Sequence, residues 1–445
     1  MKIQNLWVEG LFGEHNYEVP LHESGITVIH APNGLGKTTL LRLIDGALNG
    51  RFFELQKIQF EKLGFLFSDG SRLCVCKERK EPMKIGEQGL KNIYYEFLDA
   101  QGTPYEFKPE HKVSWNYPLG LVDDQLPFLE RVGPELWEHR ETGEYLDYKD
   151  VLKKYGNRLP MAAEYDWPDW LKKIRRQLPV HFISAHRLLK APYELKSEIH
   201  GAERLVPAVR YFSEQLVKTF RAKLAASADI NQALDRSFPS RLVTEASKEM
   251  HDSSWSQDYL ENKLNDLAHQ RARLAHVGLL DTADAGPPIG KVALDEFTCR
   301  VLNLYIEDME KKLAVFYDLE RRLNMFLALV NSKFQHKELV IDREKGFVIQ
   351  KSNSGQFLPV DSLSSGEQHL LVLYYQLLFR EEPNELVLID EPELSLHIAW
   401  QGEFLDDLYQ IHRLNGISVV LATHSPDIID GEWELTVELE QKSNR

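Results

Sequence analysis

Apolar and polar residues alternate from the first position: Met1 to Gly10 has the period of two of a half-buried strand. Residues 25–30 form a second short β-rich run, and a glycine-containing stretch, 31–39, follows it. Leu40, Leu41, Leu43, Ile44 and Leu48 then recur at helical spacing, so the opening reads strand, turn, strand, loop, helix. Residues 51–103 alternate in short stretches, such as 63–67 and 94–98, which predicts antiparallel strands turning at Asp69-Gly70 and Gln101-Gly102. Residues 104–180 show no period and are rich in aromatics (Trp115, Trp137, Trp167, Trp170), and 181–186 reads as a strand returning to the sheet.

Two helical seams follow. Leu260, Leu264, Leu267 and Leu274 mark the first; Leu302, Ile306, Met309, Leu313, Phe316, Leu323, Leu327 and Val330 mark the second, with interruptions at Arg271 and Glu320. Residues 281–290 hold Pro287-Pro288 and two glycines, which no helix tolerates. The expectation is an antiparallel helical hairpin with its tip there and a first arm, 254–280, about 40 Å long at ~1.5 Å per residue. Residues 386–389 and 419–421 are continuous apolar runs, as buried parallel strands require. The chain thus reads as α/β, divided at 1–103, 104–200, 201–330 and 331–445.

Composition narrows the class. The 445 residues are 43% hydrophobic and 27% charged, enough for about two or three domains with cores of their own. No run of eighteen apolar residues is present and the start lacks an apolar signal-peptide centre, so a membrane span is not expected. Three cysteines (Cys74, Cys76, Cys299) make no zinc ligand set and point to a reducing, cytoplasmic setting. A net charge of −15 argues against a surface that coats nucleic acid. The basic runs Lys172, Lys173, Arg175, Arg176 and Lys153, Lys154 read as solvated helix faces.

The stretch Ala31-Pro32-Asn33-Gly34-Leu35-Gly36-Lys37-Thr38-Thr39 fits the phosphate-loop pattern G-x-x-x-x-G-K-[ST], with alanine at the first glycine. Gly34 and Gly36 allow backbone N–H groups to curl toward phosphate oxygens at a helix N-terminus, Lys37 can reach the β- and γ-phosphates of ATP, and the Thr38 hydroxyl can ligate Mg²⁺. Two carboxylates end the strand at 386–389: Asp390 suits Mg²⁺ through water, and Glu391 suits activation of the attacking water. His424, after residues 419–423, could bond the γ-phosphate. Ser364-Ser365-Gly366-Glu367-Gln368 opens a helix carrying Leu370, Leu373 and Leu377, a second anion-binding turn.

That last turn resembles the ABC signature in the Ser-Ser-Gly-Glu form of Rad50, RecF and the OLD ATPases. The resemblance implies an ABC-type P-loop NTPase head with a mixed sheet and a short antiparallel helical, coiled-coil-like insertion. It also implies an ATP-sandwiched homodimer, or a higher closed oligomer, in which Ser364, Ser365, Gly366 and Glu367 of one chain meet ATP held by Asn33 to Thr39 of another. No glutamine stands at the tip of 185–187, where the Q-loop is expected.

Residues 391–397, 423–426 and 331–334 resemble the bacterial AAA15/AAA21 group of these ATPases. Within it, chain length, the short insertion and the absence of a Toprim nuclease before Arg445 most resemble the ATPase of PARIS, an antiphage defence system. That resemblance implies a scaffold and sensor holding a Toprim-like DUF4435 nuclease until a phage-encoded trigger protein arrives. The alternatives are a Septu-like ATPase with an HNH nuclease and a RecF- or Rad50-like repair ATPase acting on DNA, against which the acidic balance and short arms weigh.

Overall fold

Five short strands of Val, Ile and Leu lie parallel in the order Val180–Ile183, Leu386–Asp390, Ser418–Thr423, Ile26–His30, Thr436–Glu438. Their apolar runs match burial on both faces. In this computed structural model the described residues are 1–77, 93–109, 112–113, 119, 122–123, 126, 128–140, 142–155, 163–164, 167–185, 187–190, 206–247, 257–280, 295–379, 384–394 and 396–439. They fall into two units: Met1–Leu205 with Arg380–Arg445, and Val206–Phe379.

The first unit carries the parallel sheet and a six-stranded antiparallel one, ordered His15–Pro20, Ile3–Leu11, Lys62–Phe67, Arg72–Lys77, Ile93–Leu98, Pro104–Phe107. The helix Lys37–Asn49 buries Leu40, Leu41, Leu43, Ile44 and Leu48 in a core shared by both sheets, from Leu6 and Phe65 on one to Leu388 and Val420 on the other. Each such side chain contributes about 1.5–3 kcal/mol by leaving water, which fixes where the loop ahead of this helix stands. The turns expected at 69–70 and 101–102 are present, with Gly70 and Gly102 at φ +82° and +83°.

Residues 104–180 are not irregular throughout. Leu129–Gly133, Leu136–His139 and Tyr145–Asp147 form a small antiparallel sheet backed by the helix Tyr148–Tyr155. They close a separate core around the fully buried Trp137, with Val122, Leu146, Val151 and Leu152. Strands of three to five residues are too short to declare a period, which is why alternation did not reveal them. Trp167 and Trp170 instead stack on Phe52 and Phe97, at the large core (centroids 5.3 Å apart in each pair). Trp115 lies outside the described residues. Lys172, Lys173, Arg175 and Arg176 sit on the helix Asp169–Gln177, and Lys153 and Lys154 on Tyr148–Tyr155.

The second unit corrects the hairpin. Its longest helix, Ala208–Ala246, was not expected from the sequence, and the second seam is two helices, Glu296–Ala314 and Tyr317–Lys333. Partner pairs reveal the directions. Glu245, Arg241 and Asp235 meet Arg300, Asp308 and Lys312 in reverse order, so Ala208–Ala246 runs antiparallel to Glu296–Ala314. By contrast Lys263–Glu310, Gln270–Tyr317 and Arg273–Glu320 keep one constant offset, so Gln257–His276 runs parallel to that seam. The expected tip at 281–290 lies outside the described residues. A hairpin sheet, Lys337–Asp342 with Gly346–Lys351 and Phe357–Leu358, leads into the helix Ser365–Leu378. Among the described residues no helix is long and apolar enough to cross a membrane.

Candidate functional site

The loop after Ile26–His30 leaves the carboxyl edge of the parallel sheet, where open α/β sheets bind ligands. Gly34 and Gly36 have φ +93° and +89°, a left-handed region closed to most side chains. A Cβ on Gly36 would also lie 2.9 Å from the Phe12 ring and 3.1 Å from Leu11. Tyr17 pins the loop by donating to the Leu35 carbonyl at 3.0 Å. Lys37, almost fully buried, donates to the carbonyls of Ala31 (2.6 Å) and Pro32 (3.3 Å) and to Asn33 Oδ1 (3.3 Å). Its ammonium is therefore held over the loop as a fixed positive charge.

Thr38 Oγ1 donates to Asp390 Oδ1 at 2.7 Å, joining residues 352 apart in sequence. Burial pushes the Asp390 carboxyl above its ordinary range; the Thr38 bond and the charges of Arg42 and Lys37 pull it back. A carboxylate out of water needs a cation, and a hydroxyl beside it adds a second hard oxygen donor. The pair fits Mg²⁺, which is commonly held by one or two carboxylates while phosphates and water complete the shell.

The next residues separate by environment. Glu391 takes φ +41°, an uncommon conformation for a residue with a side chain, and its N–H donates to the Ala422 carbonyl at 2.9 Å. Its carboxylate stays partly exposed, 3.9 Å from His424 Nδ1. The Glu393 side chain is buried; its Oε1 accepts from Thr423 Oγ1 (2.6 Å) and the His424 N–H (2.9 Å), and His424 Nδ1 lies 3.0 Å away, within ion-pair distance. A carboxylate only accepts, so attraction across that contact needs the Nδ1 proton, and Nε2 is the nitrogen left to face a ligand.

Arg187 completes the group. It follows Val180–Ile183, whose Ile183 pairs with Ile389, and is only 2% exposed. Burial pulls its guanidinium down to about 10, opposed by the charges of Asp390 and Glu393. The sequence pointed to 185–187 for a glutamine; the structure puts a buried cation there. Glu393 as the holder of His424 was missed as well, because two residues 31 positions apart leave no local signal.

Ser364 to Glu367 belong to the other unit. Ser364 is the N-cap of Ser365–Leu378 in a capping box: its hydroxyl accepts from the Glu367 N–H while Glu367 Oε2 accepts from the Ser364 N–H at 2.8 Å. Lys337 Nζ lies 2.8 Å from that same oxygen. Burial raises the Glu367 carboxyl, but the bonds from Lys337 and Ser364 outweigh it and hold the group below the usual range.

Two family models match the chain. Residues 210–430 match one described as "AAA domain, putative AbiEii toxin, Type IV TA system", and residues 8–117 match a second AAA domain. No curated protein matches. Among solved structures, an Smc head domain with an extended coiled coil, bound to the C-terminal domain of ScpA and derived from Pyrococcus furiosus, is 13% identical. That alignment covers 96% of this chain and 91% of that one, at a TM-score of 0.35. An SMC head domain from Thermotoga maritima is 10% identical, covering 97% and 92% at a TM-score of 0.32. Both matches are to AAA domains, and with the loop before Lys37 they support an ATPase of the AAA type.

Proposed function

We propose that the chain binds ATP with Mg²⁺ in the loop Asn33 to Thr39 and hydrolyses it to control its own association and that of a partner. The observation that carries this reading is the 2.7 Å bond between Thr38 and Asp390 beneath the buried Lys37. It brings the two oxygen donors a metal would need to the end of the loop that would cradle phosphates. Mg²⁺ bound there would neutralise charge on the β- and γ-phosphates. Lys37 binds the same oxygens, the N–H groups of 34–39 orient them, Glu391 takes the proton of the attacking water, and His424, steadied by Glu393, donates from Nε2 to the γ-phosphate as the imidazolium, with a proton on each ring nitrogen.

Ser364, Ser365, Gly366 and Glu367 would close the site from a second copy. Leu394 and Ile398, 61% and 67% exposed, flank the acidic turn and supply apolar contacts for such a face. ATP held between two copies makes pairing a ligand-biased equilibrium, and hydrolysis reverses it.

At the level of the cell, the reading is a scaffold and sensor for an antiphage nuclease, PARIS-like in its Toprim-type partner and phage-encoded trigger. The toxin description of the matched family supports a defence setting. Lys37→Ala should abolish nucleotide binding, and Glu391→Gln should bind ATP yet turn it over ~10²–10⁴-fold more slowly. Unaltered turnover in both would refute the site. A tagged pull-down with mass spectrometry tests the partner: a small Toprim protein supports the reading, an HNH nuclease moves it to a Septu-like system, and DNA-processing enzymes move it to repair.

A further inference from the structure

The segment proposed to meet an anionic phosphate is itself acidic. It carries Asp361 and Glu367, and each is matched by a cation from a distant part of the same unit. Arg210 makes a two-pronged pair with Asp361, Nε to Oδ1 at 3.0 Å and Nη2 to Oδ2. Lys337 sits 2.8 Å from Glu367. The second pair is the more enclosed, with side chains 21% and 14% exposed against 60% and 33%. Solvent therefore screens it less.

Glu367 has two opposed effects. At the third position of Ser365–Leu378 it stabilises the helix, as a carboxylate at an N-terminus does. It also stands at the same N-terminus whose N–H groups and dipole would attract a phosphate, so an unmatched charge there repels the ligand. We propose that Lys337 is a positioning residue of the signature turn. By neutralising Glu367 it lets Ser364 and Gly366 face the γ-phosphate of ATP bound to a second copy with no net negative charge between them. This rests on the pairing proposed above and adds a residue that neither the motif nor the matched families assign.

The test uses the full chain in a Glu391→Gln background, which retains ATP, with association followed by sedimentation at several salt concentrations. Lys337→Met should weaken ATP-dependent association at least about tenfold, more at low salt, while affinity of the single chain for ATP is unchanged. Glu367→Gln keeps the capping box, since glutamine serves at that position, and is the reference for the double variant. The double variant Lys337→Met/Glu367→Gln should associate within about threefold of Glu367→Gln alone, and Lys337→Arg should behave as wild type.

A double variant as weak as Lys337→Met would mean that the pair is a structural brace, and the proposal fails; normal association of Lys337→Met also overturns it. Ser364→Arg separates the two levels. If it still associates with ATP, the pairing itself is wrong and the proposal falls with it. If Ser364→Arg abolishes association while Lys337→Met does not, only the role of Lys337 is lost. Should Lys337→Met fail to fold, the contrast of Lys337→Arg with Lys337→Gln carries the same decision.

Discussion

Glu393→Gln isolates what holds His424. In the native protein one oxygen, Oε1, accepts two hydrogen bonds, at 2.6 and 2.9 Å, and lies 3.0 Å from His424 Nδ1. Hydrogen bonds to a charged acceptor contribute about 1.5–3 kcal/mol each and neutral ones about 0.5–1.5. An amide in place of the carboxylate thus loses on the order of 1 kcal/mol per bond, or about 2 for the two bonds, with the Nδ1 contact adding to it. Roughly half of this returns because a neutral side chain is easier to bury, leaving about 1–2 kcal/mol of net destabilisation. The effect on catalysis should be larger than that on folding. Without the anion, nothing requires the Nδ1 proton to point at residue 393, the ring loses its fixed orientation, and Nε2 no longer faces the γ-phosphate in every turnover. Loss of one positioned donor to developing charge costs about 10²–10³ in rate, so a partial loss should cost roughly 10–10²-fold in kcat with KM nearly unchanged. Steady-state ATPase kinetics and thermal melts on the same preparations check both numbers. Wild-type kcat in Glu393→Gln, with His424→Ala strongly impaired, would refute the claim that Glu393 orients the histidine.

The remaining expectations can be read from single positions. Glu391→Gly should melt above Glu391→Ala by the equivalent of about 1 kcal/mol, because only glycine sits at φ +41° without strain; the reverse order would remove strain from the account of this turn. Arg187→Met removes a buried cation whose charge acts on Asp390 and Glu393, while Lys37 and Arg42 still act on Asp390, and should cost about 1–3 kcal/mol in denaturant unfolding as well as lowering kcat; an unchanged midpoint would show that the guanidinium is not needed there. Burial and the nearby Glu96 push the Cys76 thiol up to about 11, with Lys62 opposing them. At pH 8 its thiolate fraction is then about 10⁻³ against roughly a quarter for a free cysteine, so alkylation should be at least 100-fold slower in the folded than in the denatured protein, measured by mass spectrometry.

The elements that carry the proposed nucleotide site were legible because their signals are local. A strand, two glycines at fixed spacing and a helix announce the phosphate loop within fifteen residues, and two apolar runs announce the strands that carry Asp390 and His424. Legibility ended where the answer depends on which distant element lies alongside. Most residues of the seams at 260–274 and 302–330 are buried, with Leu264, Leu302, Met309 and Leu327 only partly so, but a period says nothing of direction, and the constant offset linking Lys263, Gln270 and Arg273 to their partners has no counterpart in the pattern. The helix Ala208–Ala246 was hidden for another reason. It contains Pro239, which removes a helical donor and displaces the turn before it. Side chains take up the disturbance: Ser237 Oγ and Arg241 Nη2 both donate to the Leu234 carbonyl, at 3.1 and 3.0 Å, while Arg241 also grips Asp308 at 2.6 and 2.7 Å. A proline read alone breaks a helix; this one is tolerated because an arginine two residues on is anchored to another helix.

The same dependence on neighbours assigns different tasks to the three acids of the turn after Leu386–Asp390. Asp390 is buried beside the Thr38 hydroxyl and the charge of Lys37, the setting of a metal ligand. Glu393 is equally enclosed, but one of its oxygens already accepts two hydrogen bonds and faces His424 Nδ1, so it is poorly suited to accept a proton from water and well suited to hold an imidazole. Glu391 alone retains access to solvent, and it does so because the backbone turns through φ +41°, carrying its carboxylate out of line with the strand. A sequence can show that three carboxylates occur within four residues. The roles proposed for them, metal ligand, water activator and holder of the histidine, rest on the three settings the sheet edge provides, and the φ of +41° at Glu391 is what would keep the middle role separate from the other two.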